Sequence, residues 1–284
     1  MNHAVLLMHC SDNRGIIEHV THFISQHEGE IIELDQYTDR VNKHFFMRVK
    51  WSMDQFTLQK DTTLESFKRD VVGANDVHWK IYFCDKPKKV ALFVTKLSHC
   101  LYDILQRVQS KEWDIEVPLI ISNHDKLSYI AKQFEIPYHV FPITKENKLE
   151  QEAKELALLK ENDIDFLVLA RYMQVLTDDF IGHYPSRIIN IHHSSLPAFP
   201  GAKPYHSAHK RGVKIIGATS HYVTAELDAG PIIAQDVCKI THTDSVSDLI
   251  RKGRNLEKTV LSEAIWKKLQ HKILTYQNKT IVFQ

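Results

Sequence analysis

Apolar and polar positions divide the chain into two patterns. In the first, residues 4–8 form a short apolar run that predicts a buried strand. A turn rich in helix-capping residues follows at 11–15, and Ile16, Ile17, Val20, Phe23 and Ile24 then recur at helical spacing. Gly29 closes that helix. Residues 31–37 and 44–51 read as a strand pair across the polar turn 38–43. Leu64, Phe67, Val71 and Val72 share one face of a helix over 58–72, Gly73 stops it, and 77–83 returns as a strand. The predicted order is β-α-β-β-α-β.

Residues 85–89 are charged, carry a proline and separate this pattern from a new one, so they read as a linker between a segment 1–84 and a segment 90–284. Strands at 90–95, 117–122, 138–141 and 166–170 alternate with helices, among them 126–134 and 148–161. That alternation predicts an α/β fold with a mainly parallel sheet covered by helices, which binds ligands at the carboxyl ends of its strands. Strands at 188–192, 215–223 and 232–238 follow, then a long helix over 245–269, and 279–283 reads as a further edge strand.

Composition narrows the class. At 284 residues, about 150 per domain gives two domains. The formal net charge of +1 supplies no broad field for nucleic acid or an anionic membrane, so neither is expected as a partner. No apolar run approaches the ~20 residues that span a bilayer, and the N-terminus lacks the basic start of a signal peptide. Cys10, Cys84, Cys100 and Cys238 form no CxxC pair and read as reduced thiols of a cytoplasmic protein. His99 and Cys100 are helix neighbours that point apart, which argues against a Cys–His nucleophile.

Candidate chemistry lies between 190 and 231. Strand alternation puts Asn190 and His192 on one face at the end of a buried strand and aims His193 away. Thr219 and His221 share a face of the next strand, and Asp228 precedes the turn residue Gly230. Each has a plain structural explanation: satisfied polar groups at a strand end, or an aspartate capping a turn. Gathered together, they form a usable set. The amide donates to an oxyanion, the imidazole moves a proton, and the carboxylate orients the imidazole or holds a water.

Asn-Ile-His-x-Ser-x-Leu-Pro-x-Phe-x-Gly from 190 to 201, Gly-x-Thr-x-His-x-Val from 217 to 223 and Asp-x-Gly from 228 to 230 resemble the formyltransferases that use 10-formyltetrahydrofolate. The resemblance implies a Rossmann-like domain over about residues 88–284, with Asn190, His192 and Asp228 as its catalytic set. It also implies a folate slot lined by Met173, Val175, Leu176 and Glu226, with Thr219 and His221 in support. Met173, Val175 and Leu176 read equally as core packing. Relatives that formylate a ribonucleotide amine carry a glycine-rich phosphate loop after the first strand, whereas residues 94–101 here contain no glycine. Relatives that formylate tRNA carry a C-terminal β-domain, and this chain ends in a helix and a short tail. Water then remains as acceptor.

The N-terminal order resembles a ferredoxin-like ACT domain. An ACT domain fused to a formyltransferase-like domain, with Lys96 to Leu105 and residues 170–176, resembles the deformylase branch of the family. That resemblance implies hydrolysis of 10-formyltetrahydrofolate to tetrahydrofolate and formate, without a cofactor or metal, serving purine synthesis and one-carbon balance. It further implies glycine and methionine as effectors, with the turn 12–15 as their place, and a homo-oligomer. The expected reaction has a water near Asp228 attack the formyl carbon, while Asn190 and protonated His192 steady the oxyanion. His192 then passes a proton to the leaving nitrogen. Three alternatives stand beside it: transfer to an amine, a zinc site of His192, His206, His209 and Asp228, and a non-enzymatic amino-acid sensor.

Overall fold

The computed structural model describes residues 2–11, 15–73, 76–197 and 204–284. It divides into two compact units, Met1–Pro87 with Gln270–Tyr276 and Ile281–Gln284, and Lys88–Leu269 with Gln277–Thr280. The final segment therefore differs from the sequence expectation, since most of it is grouped with the first unit.

The first unit contains β1 (His3–Ser11), α1 (Ile16–Gln26), β2 (Ile31–Asp39), β3 (His44–Ser52), α2 (Lys60–Phe67) with a π-helical turn over Lys68–Val72, and β4 (Val77–Phe83). Its antiparallel sheet has the order β2-β3-β1-β4, the ACT-like arrangement. Period two sorts β1: Ala4, Leu6, Met8 and Cys10 bury against Val20, Phe23 and Ile24 of α1 and Phe67. On the other face Leu7 and Phe46 pack with Leu274 and Phe283 from the end of the chain. Arg48, buried in the sheet, donates to Glu33 at 2.6 Å and to the carbonyls of Gln270 and His271 at 3.0 Å.

The second unit runs β5 (Lys88–Val94), α3 (His99–Gln109), β6 (Ile115–Glu116), β7 (Ile120–Ser122), α4 (Ser128–Gln133), β8 (Tyr138–Val140), α5 (Lys148–Glu161), β9 (Phe166–Leu169), α6 (Asp178–His183), β10 (Ile188–His192), α7 (Pro204–Arg211), β11 (Ile215–Tyr222), β12 (Ile232–Lys239) and α8 (Val246–Leu269). The sheet order is β12-β11-β10-β9-β5-β7-β8, with β6 beside β5. Strands β10, β9, β5, β7 and β8 are parallel, while β11 pairs antiparallel with both β10 and β12, so the sheet is mixed. The predicted edge strand at the tail is instead one arm of a hairpin, β13 (Ile273–Tyr276) with β14 (Lys279–Val282). Among the described residues no helix is long and apolar enough to cross a membrane. Cys10, Cys84, Cys100 and Cys238 form no disulfide among the described residues.

Candidate active site

The antiparallel turn of the sheet at β11 builds the centre of the site. Its register sets Asn190 opposite His221 and His192 opposite Thr219, so the polar pairs from two motifs meet across one ladder. Asn190 Nδ2 lies 3.1 Å from His221 Nε2. His221 Nδ1 lies 2.9 Å from the Tyr222 carbonyl, which can only accept. Nδ1 therefore carries a proton, and Nε2 accepts from the Asn190 amide. The second amide N–H of Asn190 remains for a ligand. Thr219 is fully buried and holds the chain beyond His192. Its hydroxyl donates to the Ser194 carbonyl at 2.8 Å and accepts from the Leu196 N–H at 3.1 Å and the Gln235 amide at 2.9 Å.

Asp228 arrives on the loop between β11 and β12. Its backbone is left-handed, φ +56°, a conformation aspartate tolerates better than most residues. Gly230 brings the loop back against β11, where a Cβ would stand 1.9 Å from the Tyr222 carbonyl oxygen. This close approach delivers the Asp228 carboxylate to both imidazoles. Oδ2 is 3.1 Å from His192 Nδ1 and Oδ1 is 3.6 Å from His221 Nε2. The hydrogen bond from His192 holds the Asp228 carboxyl well below the usual carboxylate range against the opposing effect of burial. His192 is buried, and its Nε2 has no partner among the described residues. With Nδ1 paired to the carboxylate, Nε2 is the ring nitrogen left for a ligand.

Asn190, His192, His221 and Asp228 line a cavity of about 280 Å³ with Met173, Val175 and Leu176. Leu176 is also a core residue, whereas Met173 and Val175 stay 51% and 53% exposed. The loop that carries them is fixed at both ends. Thr95 Oγ1 accepts from the Met173 N–H at 3.1 Å and donates to Asn123 at 2.9 Å, and buried Glu152 takes the Thr177 N–H at 3.1 Å. Glu226 departs from expectation: it is exposed and does not line the cavity, where Thr224, Ala225 and Leu227 stand instead. His193 departs too. Strand β10 ends at His192, so alternation no longer governs the next residue, and His193 joins the cavity wall. The turn expected to take effectors, 12–15, lies outside the described residues except for Gly15, as does 198–201 of the longest motif.

A second polar cluster was not anticipated. Glu257 of α8 is 1% exposed and gathers Tyr205 Oη at 2.6 Å, His99 Nε2 at 2.7 Å and Arg171 Nε at 3.4 Å. Burial alone would raise its carboxyl, but the His99 hydrogen bond and the Arg171 charge hold it below its ordinary value. The clue available in the sequence was a charge inside the apolar stripe of α8, beside Leu256 and in step with Leu249 and Val260. His99 and Cys100, expected to point apart, both reach Glu257, their ligand atoms all within 4.8 Å. Burial and the nearby Glu257 push the Cys100 thiol well up, the reverse of an activated nucleophile. This is the only group with metal-ligand spacing among the described residues, and the Arg171 cation already occupies its electrostatics. His206 and His209 are exposed on α7 and belong to no such group.

Residues 88–265 match the formyl transferase family. The chain is 54% identical over 280 residues to the formyltetrahydrofolate deformylase of Synechocystis sp., covering 99% of this chain and 98% of that one. It is 42% identical over 279 residues to the formyltetrahydrofolate deformylase of Bacillus subtilis, with 98% and 93% covered. A crystal structure of a formyltetrahydrofolate deformylase from Pseudomonas syringae pv. tomato superposes with a TM-score of 0.96 at 40% identity, covering 100% of this chain and 95% of that one.

Proposed function

The chain belongs to the formyltetrahydrofolate deformylases, a family of hydrolases, and from that premise we propose that Asn190, His192 and Asp228 perform the deformylation in the 280 Å³ cavity. The activity is release of the formyl group of 10-formyltetrahydrofolate to water, giving formate and tetrahydrofolate.

The observation that carries the assignment of roles is the pairing of His192 Nδ1 with Asp228 and the unpartnered, buried Nε2. A carboxylate held well below its usual range is a poor base, so Asp228 serves best by fixing the ring and balancing its charge. In this scheme His192 Nε2 takes a proton from the attacking water as its oxygen bonds to the formyl carbon. The free amide N–H of Asn190 donates to the resulting oxyanion. As the carbon–nitrogen bond breaks, Nε2 returns the proton to N10, and formic acid leaves as formate. Asp228 thus holds the ring, rather than the water that the sequence alone suggested. Half-exposed Met173 and Val175 offer the folate ring an apolar face that core packing does not require.

The same proposal extends to the setting of the enzyme. It works in the cytoplasm, supplies formate for purine synthesis and balances one-carbon pools. Its N-terminal unit answers to glycine and methionine and pairs with a second copy. What supports the pairing is β2, an edge strand whose Ile32, Leu34 and Tyr37 are exposed, a long apolar edge of the kind proteins otherwise cover.

The test follows formate and tetrahydrofolate from 10-formyltetrahydrofolate, with and without glycinamide ribonucleotide. Equal formate and tetrahydrofolate, indifferent to the added amine, is the expected result. Formate released only as a slow leak that the amine replaces with a formylated product would transfer the chain to the amine-dependent alternative.

A further inference from the structure

Water is a poor competitor for a formyl group when an amine is at hand, so a cavity that hydrolyses must keep amines out. We propose that Arg171, held by buried Glu257, is the element that makes water the acceptor; this rests on the deformylase reading above.

The argument begins with charge. A small amine arrives largely as an ammonium ion and needs a carboxylate within reach to enter a desolvated cavity. Asp228, Glu257, Glu152 and Glu155 are carboxylates of this part of the second unit. Asp228 is the only one among the described lining residues, and it is committed to the imidazoles of His192 and His221. Glu152 and Glu155 are buried against Thr177 and Tyr172 and do not line the cavity, and neither does Glu257; Arg171, its ion-pair partner, does. The guanidinium stands 3.4 Å from Glu257 Oε2, and the remaining valence of that carboxylate is taken by His99 and Tyr205. An incoming ammonium therefore meets a cation at the wall and finds the carboxylate behind it saturated, while neutral water meets no such barrier. This is specificity by exclusion.

The placement of Arg171 is built into the backbone. Residue 170 closes the parallel ladder by donating its N–H to the Phe93 carbonyl at 2.8 Å, and Arg171 then turns into the left-handed region, φ +65°. An arginine has no intrinsic preference for that conformation. The side chain is 9% exposed, and its Nε has no hydrogen-bond partner among the described residues, so the ion pair with Glu257 and its place at the cavity are what it obtains.

Full-length protein is given 10-formyltetrahydrofolate with a large excess of glycinamide, and formate and N-formylglycinamide are quantified per tetrahydrofolate. In the transfer, the amine nitrogen bonds to the formyl carbon and loses a proton, the carbon–N10 bond breaks, and N10 gains a proton. The parent is expected to give one formate per tetrahydrofolate. Arg171→Gln, which keeps a donor for Glu257, is expected to raise the formylated amide about tenfold or more over the parent's background. Arg171→Lys keeps the charge and is expected to stay with formate. Arg171→Gln combined with Glu257→Gln removes the carboxylate charge that Arg171 no longer balances and is expected to lose the amide again. Should Arg171→Gln fail to fold, Arg171→Met carries the same comparison. Continued formate release with no amide from the uncharged variants would overturn the inference, as would equal amide from Arg171→Lys or amide persisting in the double variant. Absence of formate from the parent is a separate outcome, which would overturn the deformylase reading instead.

Discussion

Replacing Asp228 with asparagine tests the proposed division of labour most directly, because the change removes a charge and little else. The carboxylate oxygen sits 3.1 Å from His192 Nδ1. At an effective dielectric constant of about 20, two unit charges at that distance attract by about 5 kcal/mol. The Asp228 side chain is 22% exposed, so water screens part of this attraction; taking about 3 kcal/mol as what survives gives a loss of roughly 10² in rate. An asparagine can also offer its N–H to Nδ1 and select the wrong tautomer, which adds to the loss. The charge on the ring matters most while it holds the proton in transit, so kcat falls and KM moves little. The assay is initial-rate formate release across pH, with a thermal melt to confirm the fold. Turnover within about fivefold of the parent, in a folded variant, would refute the assignment of Asp228 to His192.

Asn190→Ala and His192→Ala are each expected to lower formate release about 10²–10³-fold while leaving the melting profile nearly unchanged, as read by single-turnover kinetics and calorimetry. Burial, with the adjacent Glu152, pushes the Glu155 carboxyl up to about 8, and its Oε2 has no partner. An acid whose folded value lies above its unfolded one costs stability once it must ionise, so stability should fall as pH rises from about 4.5 to about 8. Glu155→Gln should therefore match the parent near pH 4 and exceed it by about 2 kcal/mol or more at pH 8 in denaturant titrations.

Much of the site could be read before any fold was known because its signals are local. Asn190 with His192, and Thr219 with His221, fall on shared faces by the two-residue period of a strand. The register that sets these two faces opposite each other is a long-range property, and so is the return of the loop that brings Asp228 to them. The elements followed the same rule. The long stripe of α8 was plain, while α6, at six residues, is too short to show a period and is fixed by its cap, where Thr177 accepts from the Phe180 N–H. The resemblance implies Glu226 as a slot residue, but a loop residue two positions from Asp228 can face solvent, and Glu226 does. Arg171 and Glu257 carry no motif in common; what joins them is burial, which a single charged residue in an apolar stripe announces only faintly.

The loop of residues 171–177 is pinned by Thr95 near its start and by Glu152 at its end. It cannot swing inward to shelter the side chains of Met173 and Val175 when no folate is present. The unliganded protein leaves these side chains wetted, and folate in the proposed slot would dry them. Resistance to heat and to proteases should then track folate supply, making the enzyme longest-lived when its reactant is abundant.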